Sequence, residues 1–106
     1  MNTKASVDLS AIEGQVFIVG REGHIYISNA SVSRQHAEIK VINGRIRIRD
    51  LASSNGIYYV LENRAVRFQE AYVKLRQTIF IGNHRCTAEG LLSAVGVAAD
   101  PLEESV

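Results

Sequence analysis

Two arginines, two serines and one asparagine occupy short segments where apolar runs break. Arg21 follows Gly20. Ser33 and Arg34 lie in Val32-Ser33-Arg34-Gln35-His36-Ala37. Ser54 and Asn55 precede Gly56 in Ser53-Ser54-Asn55-Gly56, shortly after Asp50-Leu51. The guanidinium groups of Arg21 and Arg34 are planar, permanently charged forks that match the oxygens of a phosphate. The hydroxyls of Ser33 and Ser54 can donate to a tetrahedral anion. Asn55 carries a donor and an acceptor on one short side chain, so it can read the N–H and C=O of an extended peptide together. Gly56 permits the tight turn that would aim it. Arginine combined with hydroxyls is a recurrent mode of phospho-recognition.

Catalytic chemistry is less well supplied. Ser33, His36 and Asp50 are the residue types of a hydrolytic triad, but no Gly-x-Ser-x-Gly elbow is present. A hydroxyl three residues from a histidine occurs often by chance. His36 reads instead as a buried residue that organises its loop. Cys86 falls in an apolar run and reads as core. No Cys/His cluster has metal-ligand spacing, and no glycine-rich nucleotide loop joins a strand to a helix. The sequence therefore predicts no catalytic residue, no metal and no cofactor, and the chain reads as a binding protein.

The elements that must position these residues are strands. Short apolar runs alternate with turn signals, and no helical period stands out before residue 90. Strands are predicted over Ser6–Leu9, Gln15–Val19, His24–Ile27, His36–Ile42, Arg45–Asp50, Ile57–Leu61, Tyr72–Leu75, Thr78–Ile81 and Arg85–Ala88. Many short strands imply an all-β sandwich or barrel. Each segment with candidate binding residues then falls at a strand end or in a loop. Asn43-Gly44 is a strong two-residue hairpin signal. It sets Ile42 opposite Arg45, Val41 opposite Ile46 and Ile39 opposite Ile48, with Glu38 facing Arg49 and Lys40 facing Arg47. Arg45, Arg47 and Arg49 alternate with Ile46 and Ile48, the pattern of a solvated strand face. The other reading of that stripe is a basic rim for acidic peptide or nucleic acid.

The order and spacing of Gly-Arg, Ser-Arg-x-His-Ala and Asp-Leu-x-Ser-x-Asn-Gly resemble the forkhead-associated domain signature, and the resemblance runs from about Gln15 to Ala88. That family implies a two-sheet β-sandwich with binding loops at one end and a site for phosphothreonine, used in kinase-linked signalling and assembly. By the resemblance, Arg21 and Ser33 are the phosphate-binding pair. Arg34 is a further phosphate or peptide contact, Ser54 the hydroxyl before the asparagine, and Asn55 the grip on the peptide backbone. Gly20, His36 and Gly56 support the site. The implied partner is a protein phosphorylated on threonine by an upstream serine/threonine kinase. The chain departs from the pattern in a short Arg21–Ile25 loop, in His24 where Asp is common, in Ala52 and Ile57, in Glu62-Asn63-Arg64 where a second Asn-Gly is expected, and in Arg76-Gln77.

Composition fits this class. The chain has 106 residues, 46% hydrophobic and 22% charged, which suits one globular domain. Its formal net charge is +1. Residues 93–106 hold Asp100, Glu103 and Glu104 and no base, a charge of −3, which leaves +4 on residues 1–92. An anionic ligand is thus permitted on the body. Residues 1–92 read as the domain, and residues 93–106, small and acidic with the only proline, as a tail or linker. A single cysteine excludes an intrachain disulfide and favours a reducing compartment. The first residues lack the apolar core of a signal peptide, and no apolar run is long enough for a bilayer. A cytoplasmic location is expected, with no membrane and no nucleic acid among the partners. Two further readings stay open: a phosphate-independent assembly module on the same fold, and nucleic-acid binding through the arginine stripe, which lacks an aromatic series beside it.

Overall fold

The computed structural model describes residues 7–95. Nine strands and one short helix follow one another: β1 (Val16–Gly20), β2 (Ile25–Tyr26), β3 (Ala37–Ile42), β4 (Arg45–Asp50), β5 (Ile57–Leu61), β6 (Arg64–Phe68), β7 (Glu70–Val73), β8 (Thr78–Ile81), β9 (His84–Thr87) and α1 (Ala88–Ser93). They form a five-stranded sheet, order β2-β1-β3-β4-β7, and a four-stranded sheet, order β6-β5-β8-β9. The fold is the predicted two-sheet β-sandwich.

Alternation of side chains across each strand builds the core. Ala37, Ile39 and Val41 of β3, Ile46 and Ile48 of β4, Ile57 of β5, and Ile79 and Ile81 of β8 are all buried. The hairpin at Asn43-Gly44 has the predicted register, from Ile42 opposite Arg45 to Glu38 opposite Arg49. Both turn residues have positive φ, 52° and 73°, the type I′ geometry that matches the twist of the flanking strands. The like-charged Lys40–Arg47 pair is relieved from the other side, where Arg47 lies 3.6 Å from Glu70 of β7.

Several predicted elements differ. The strand over Ser6–Leu9 does not form. Ser6 lies outside the described residues, Val7 makes one isolated bridge, and Leu9–Ile12 is a 3-10 turn. Asp8 caps that turn, its Oδ1 accepting from Ser10 N–H at 3.1 Å. Strand β6 was not predicted. Its hairpin with β5 turns on Glu62 and Asn63, at φ 51° and 64°, so this pair supplies the geometry that Asn43-Gly44 supplies elsewhere. Strand β7 lies two residues earlier than the expected Tyr72–Leu75. The chain continues from β9 into α1, capped by Thr87, whose Oγ1 accepts from Gly90 N–H at 3.0 Å. Leu91 and Leu92 of α1 close the core. Of the expected tail, Ser93 ends α1, and residues 96–106 lie outside the described residues. Among the described residues no helix is long and apolar enough to cross a membrane.

Candidate functional site

One end of the sandwich gathers loops β1–β2, β2–β3, β4–β5 and β8–β9, and His36 ties the second and third of them together. Its ring is fully buried. Nδ1 accepts from Ser33 N–H at 3.0 Å, so Nε2 carries the proton donated to the Gly56 carbonyl at 2.8 Å. The same carbonyl accepts from Gly82 N–H at 2.9 Å. The backbone of His36 adds two bonds, His36 N–H to Val19 O at 2.8 Å and Leu51 N–H to His36 O at 2.9 Å.

Close backbone approach fixes the neighbouring segments. Arg21 N–H donates to Ser33 O at 3.1 Å and Glu22 N–H to Arg34 O at 2.9 Å. This requires glycine at position 20, because a Cβ there would stand 2.2 Å from Arg34 O and 2.7 Å from Ser33 O. In the β4–β5 loop the buried Asp50 carboxylate takes the Ser53 hydroxyl through Oδ1 and Ser53 N–H through Oδ2 at 3.2 Å. Ser53 Oγ in turn accepts from Gly56 N–H at 2.9 Å. Gly56 has φ +78°, a conformation that disfavours any other residue type, and the Arg67 guanidinium lies against its Cα.

The candidate ligands sit on this frame. Arg21 is exposed and anchored by Nε–H to Val32 O at 2.6 Å, which leaves both Nη groups to turn outward. Ser33 Oγ accepts from Ser54 N–H at 3.3 Å, so the serines lie side by side. Asn55 Nδ2 donates to Ser31 O at 2.8 Å, which fixes the amide and leaves Oδ1 as an acceptor. Arg34 is the most loosely held, with its side chain 73% exposed and 3.6 Å from Glu22. The structure thus brings Arg21, Ser33, Ser54 and Asn55 together, with Arg34 at the margin. An arginine fork, hydroxyls and a fixed amide on one rigid rim can bind a tetrahedral anion attached to an extended chain.

Sequence reasoning missed a second layer. Ser31, Asn55, Tyr58, Gly82 and Asn83 line a cleft beside Asn55. Tyr58 Oη–H donates to Asn55 O at 3.0 Å, Asn83 N–H to Ser31 Oγ at 2.9 Å, and Asn29 Nδ2 to Asn83 Oδ1 at 2.9 Å. No local signal announces Ser31–Asn83, since 52 residues separate the two. Among the described residues no group of His, Cys, Asp or Glu is arranged to hold a metal. Cys86 is partly buried against the core, and burial pushes its thiol pKa up to about 12. The arginine stripe is engaged on its own sheet: Arg45 stacks 3.9 Å from the Tyr72 ring centre, Arg47 pairs with Glu70, and Arg49 hydrogen-bonds Glu38. That bond with Glu38 raises the Arg49 pKa.

Among the described residues nine strands form a sandwich whose polar loops converge at one end. The FHA domain family model matches residues 17–84, and the chain belongs to that family, whose members are interaction modules and not enzymes. Solved structures agree. The FHA domain of CT664 from Chlamydia trachomatis is 30% identical, with a TM-score of 0.59 over 69% of this chain and 74% of that one. An FHA domain solved in a structural and functional analysis of phosphothreonine-dependent FHA domain interactions is 27% identical, with a TM-score of 0.61 over 71% and 75%. Mycobacterium tuberculosis EmbR, solved with a low affinity phosphopeptide, is 30% identical, with a TM-score of 0.57 over 68% of this chain and 19% of that one. No curated protein matches the chain.

Proposed function

We propose that this chain is a phosphothreonine-dependent protein-interaction module in kinase-linked signalling or complex assembly. The observation that carries the reading is the convergence of Arg21, Ser33, Ser54 and Asn55 on one rim, held by the His36–Gly56 bond. Arg21 and Ser33 hold the phosphate, with Ser54 and Arg34 completing its shell. Asn55 Oδ1 takes a peptide N–H beside the phosphothreonine. Gly20, His36 and Gly56 keep the loops in register, so little ordering is left to do on binding. FHA structures of 27% and 30% identity, studied with phosphothreonine-dependent interactions and with a phosphopeptide, support the ligand class.

The engagement of Arg45, Arg47 and Arg49 by Tyr72, Glu70 and Glu38 argues against the stripe as a nucleic-acid surface. The test is calorimetric titration of the chain with a degenerate phosphothreonine peptide library and its unphosphorylated and phosphoserine counterparts. Binding that needs phosphothreonine supports the reading. Equal affinity with and without phosphate replaces it with a phosphate-independent assembly module.

A further inference from the structure

The outer face of the four-stranded sheet carries a feature that the rim does not use. Cross-strand register sets Arg67 of β6 opposite Tyr58 of β5, Tyr58 opposite Phe80 of β8, and Phe80 opposite Arg85 of β9. Ile57, Ile79 and Ile81 are buried on the inner face, so the alternation of each strand turns these four residues to the outer one. The result is one row, Arg67–Tyr58–Phe80–Arg85, crossing the whole sheet. With strands about 4.8 Å apart, three spacings make it about 14 Å long. Tyr58 and Phe80 are half-buried, and both arginines are exposed. The Arg67 guanidinium lies 6.0 Å from the Tyr58 ring centre.

Two observations say what would cover this row. Neither Arg67 nor Arg85 has a carboxylate partner among the described residues, whereas Arg34, Arg47, Arg49 and Arg76 each have one. The row is also continuous with the rim, because Tyr58 Oη–H bonds Asn55 O and Arg67 lies against Gly56. A chain held at Asn55 that leaves through the cleft of Ser31, Tyr58 and Asn83 runs onto the row directly. We infer that the row Arg67–Tyr58–Phe80–Arg85 docks an acidic segment of the same partner chain that the rim binds. The aromatic pair supplies apolar contact for the stems of Asp and Glu side chains, and the two arginines take their carboxylates. The inference rests on the proposed phosphothreonine site, which supplies the anchor.

The experiment compares a phosphothreonine peptide with neutral flanks with peptides carrying a Glu/Asp block before or after the same core. Each is titrated against the wild-type chain, Arg85→Gln and the Arg67→Gln/Arg85→Gln double variant. One of the two blocks should tighten wild-type binding about three- to tenfold, the scale of two rim charge contacts, and the gain should shrink by about 0.5 M salt. Arg85→Gln should lose part of the gain and the double variant nearly all of it, while Arg85→Gln keeps the affinity for the neutral-flank peptide. No gain from either block, or a gain untouched in the double variant, overturns the inference. Phosphate-independent binding of the neutral-flank peptide overturns the parent reading. The face is then judged on the unphosphorylated acidic peptide, whose binding must still fall in the double variant. A single-stranded oligonucleotide that binds more tightly than the acidic peptide, and is lost in the double variant, reassigns the row to nucleic acid.

Discussion

Replacing His36 by alanine tests whether the rim is held by a single buried ring. The substitution removes two ring hydrogen bonds, 3.0 Å from Ser33 N–H and 2.8 Å to Gly56 O. Gly56 O keeps its bond from Gly82 N–H at 2.9 Å, so that carbonyl is not orphaned. Ser33 N–H is left without a partner, and since Ser33 is only half-buried its orphaning costs about 1 kcal/mol, the low end for such groups. The vacated ring leaves a cavity in a site that is 0% exposed, worth about 2 kcal/mol more at the low end of large-to-small core truncations. The sum, about 3 kcal/mol, should lower the Tm by more than about 10 °C for a domain of this size. Binding should weaken about tenfold and indirectly, because Ser33 loses its fixed position while every proposed ligand-contacting side chain remains. Urea denaturation, with peptide titration at a temperature where the variant is still folded, measures both effects. Full stability with total loss of binding would refute the reasoning, since His36 would then have to meet the ligand itself.

Further outcomes are expected for the rim, the buried thiol and the arginine stripe. Gly20→Ala should destabilise the chain by about 1–3 kcal/mol and weaken phosphopeptide binding, because the new methyl cannot sit 2.2 Å from Arg34 O; unchanged denaturation and titration curves would contradict this. Arg21→Ala should lower phosphopeptide affinity about thirtyfold, about 2 kcal/mol, at the low end for a lost charge partner because Arg21 is exposed. Wild-type affinity should also fall as pH drops through about 6, where the phosphate loses its second charge, and titrations at pH 5 and 7.5 check this. Cys86, with its pKa pushed up to about 12 from 9.0, should resist iodoacetamide at pH 8 until the chain unfolds. The unfolded thiol ionises first, so stability should decline as pH rises above about 9, as denaturation at pH 8 and 10 would show. Replacing Arg45 and Arg47 together by Gln should leave peptide affinity within about twofold, as calorimetry would report, since stripe charges on an exposed sheet face contribute little.

What could be read from the sequence depended on whether a local residue type announced the geometry. Asn43-Gly44 did, and the whole β3–β4 register followed from it. Glu62-Asn63 adopts the same positive φ values without a glycine, so residue type alone did not announce the β5–β6 hairpin, although the family pattern expects an Asn-Gly there, and β6 was not predicted. Asp8 and Thr87 are good caps, yet the apolar residues around them fit a strand equally well, and tertiary packing decided for a 3-10 turn and a helix. The candidate ligands stood out because their types are chemically distinctive and their segments adjoin strand ends. Ser31, Tyr58 and Asn83 did not, since they meet across 25 to 52 residues of chain and each is an ordinary polar or aromatic residue in isolation.

The bonds that shape the rim end mostly on main-chain atoms. His36 holds Ser33 N–H and Gly56 O, Arg21 holds Val32 O, and Asn55 holds Ser31 O. The frame is therefore largely indifferent to what side chains its loops present. Arg34, Glu22 and Ser54 are free to vary without moving the backbone that displays them. Such a module can drift from one partner to another by exchanging a few surface residues, without crossing an unfolded intermediate genotype. Of the residues that hold it, Gly20, His36 and Gly56 need never touch a partner, whereas Arg21 and Asn55 both brace the rim and face the ligand.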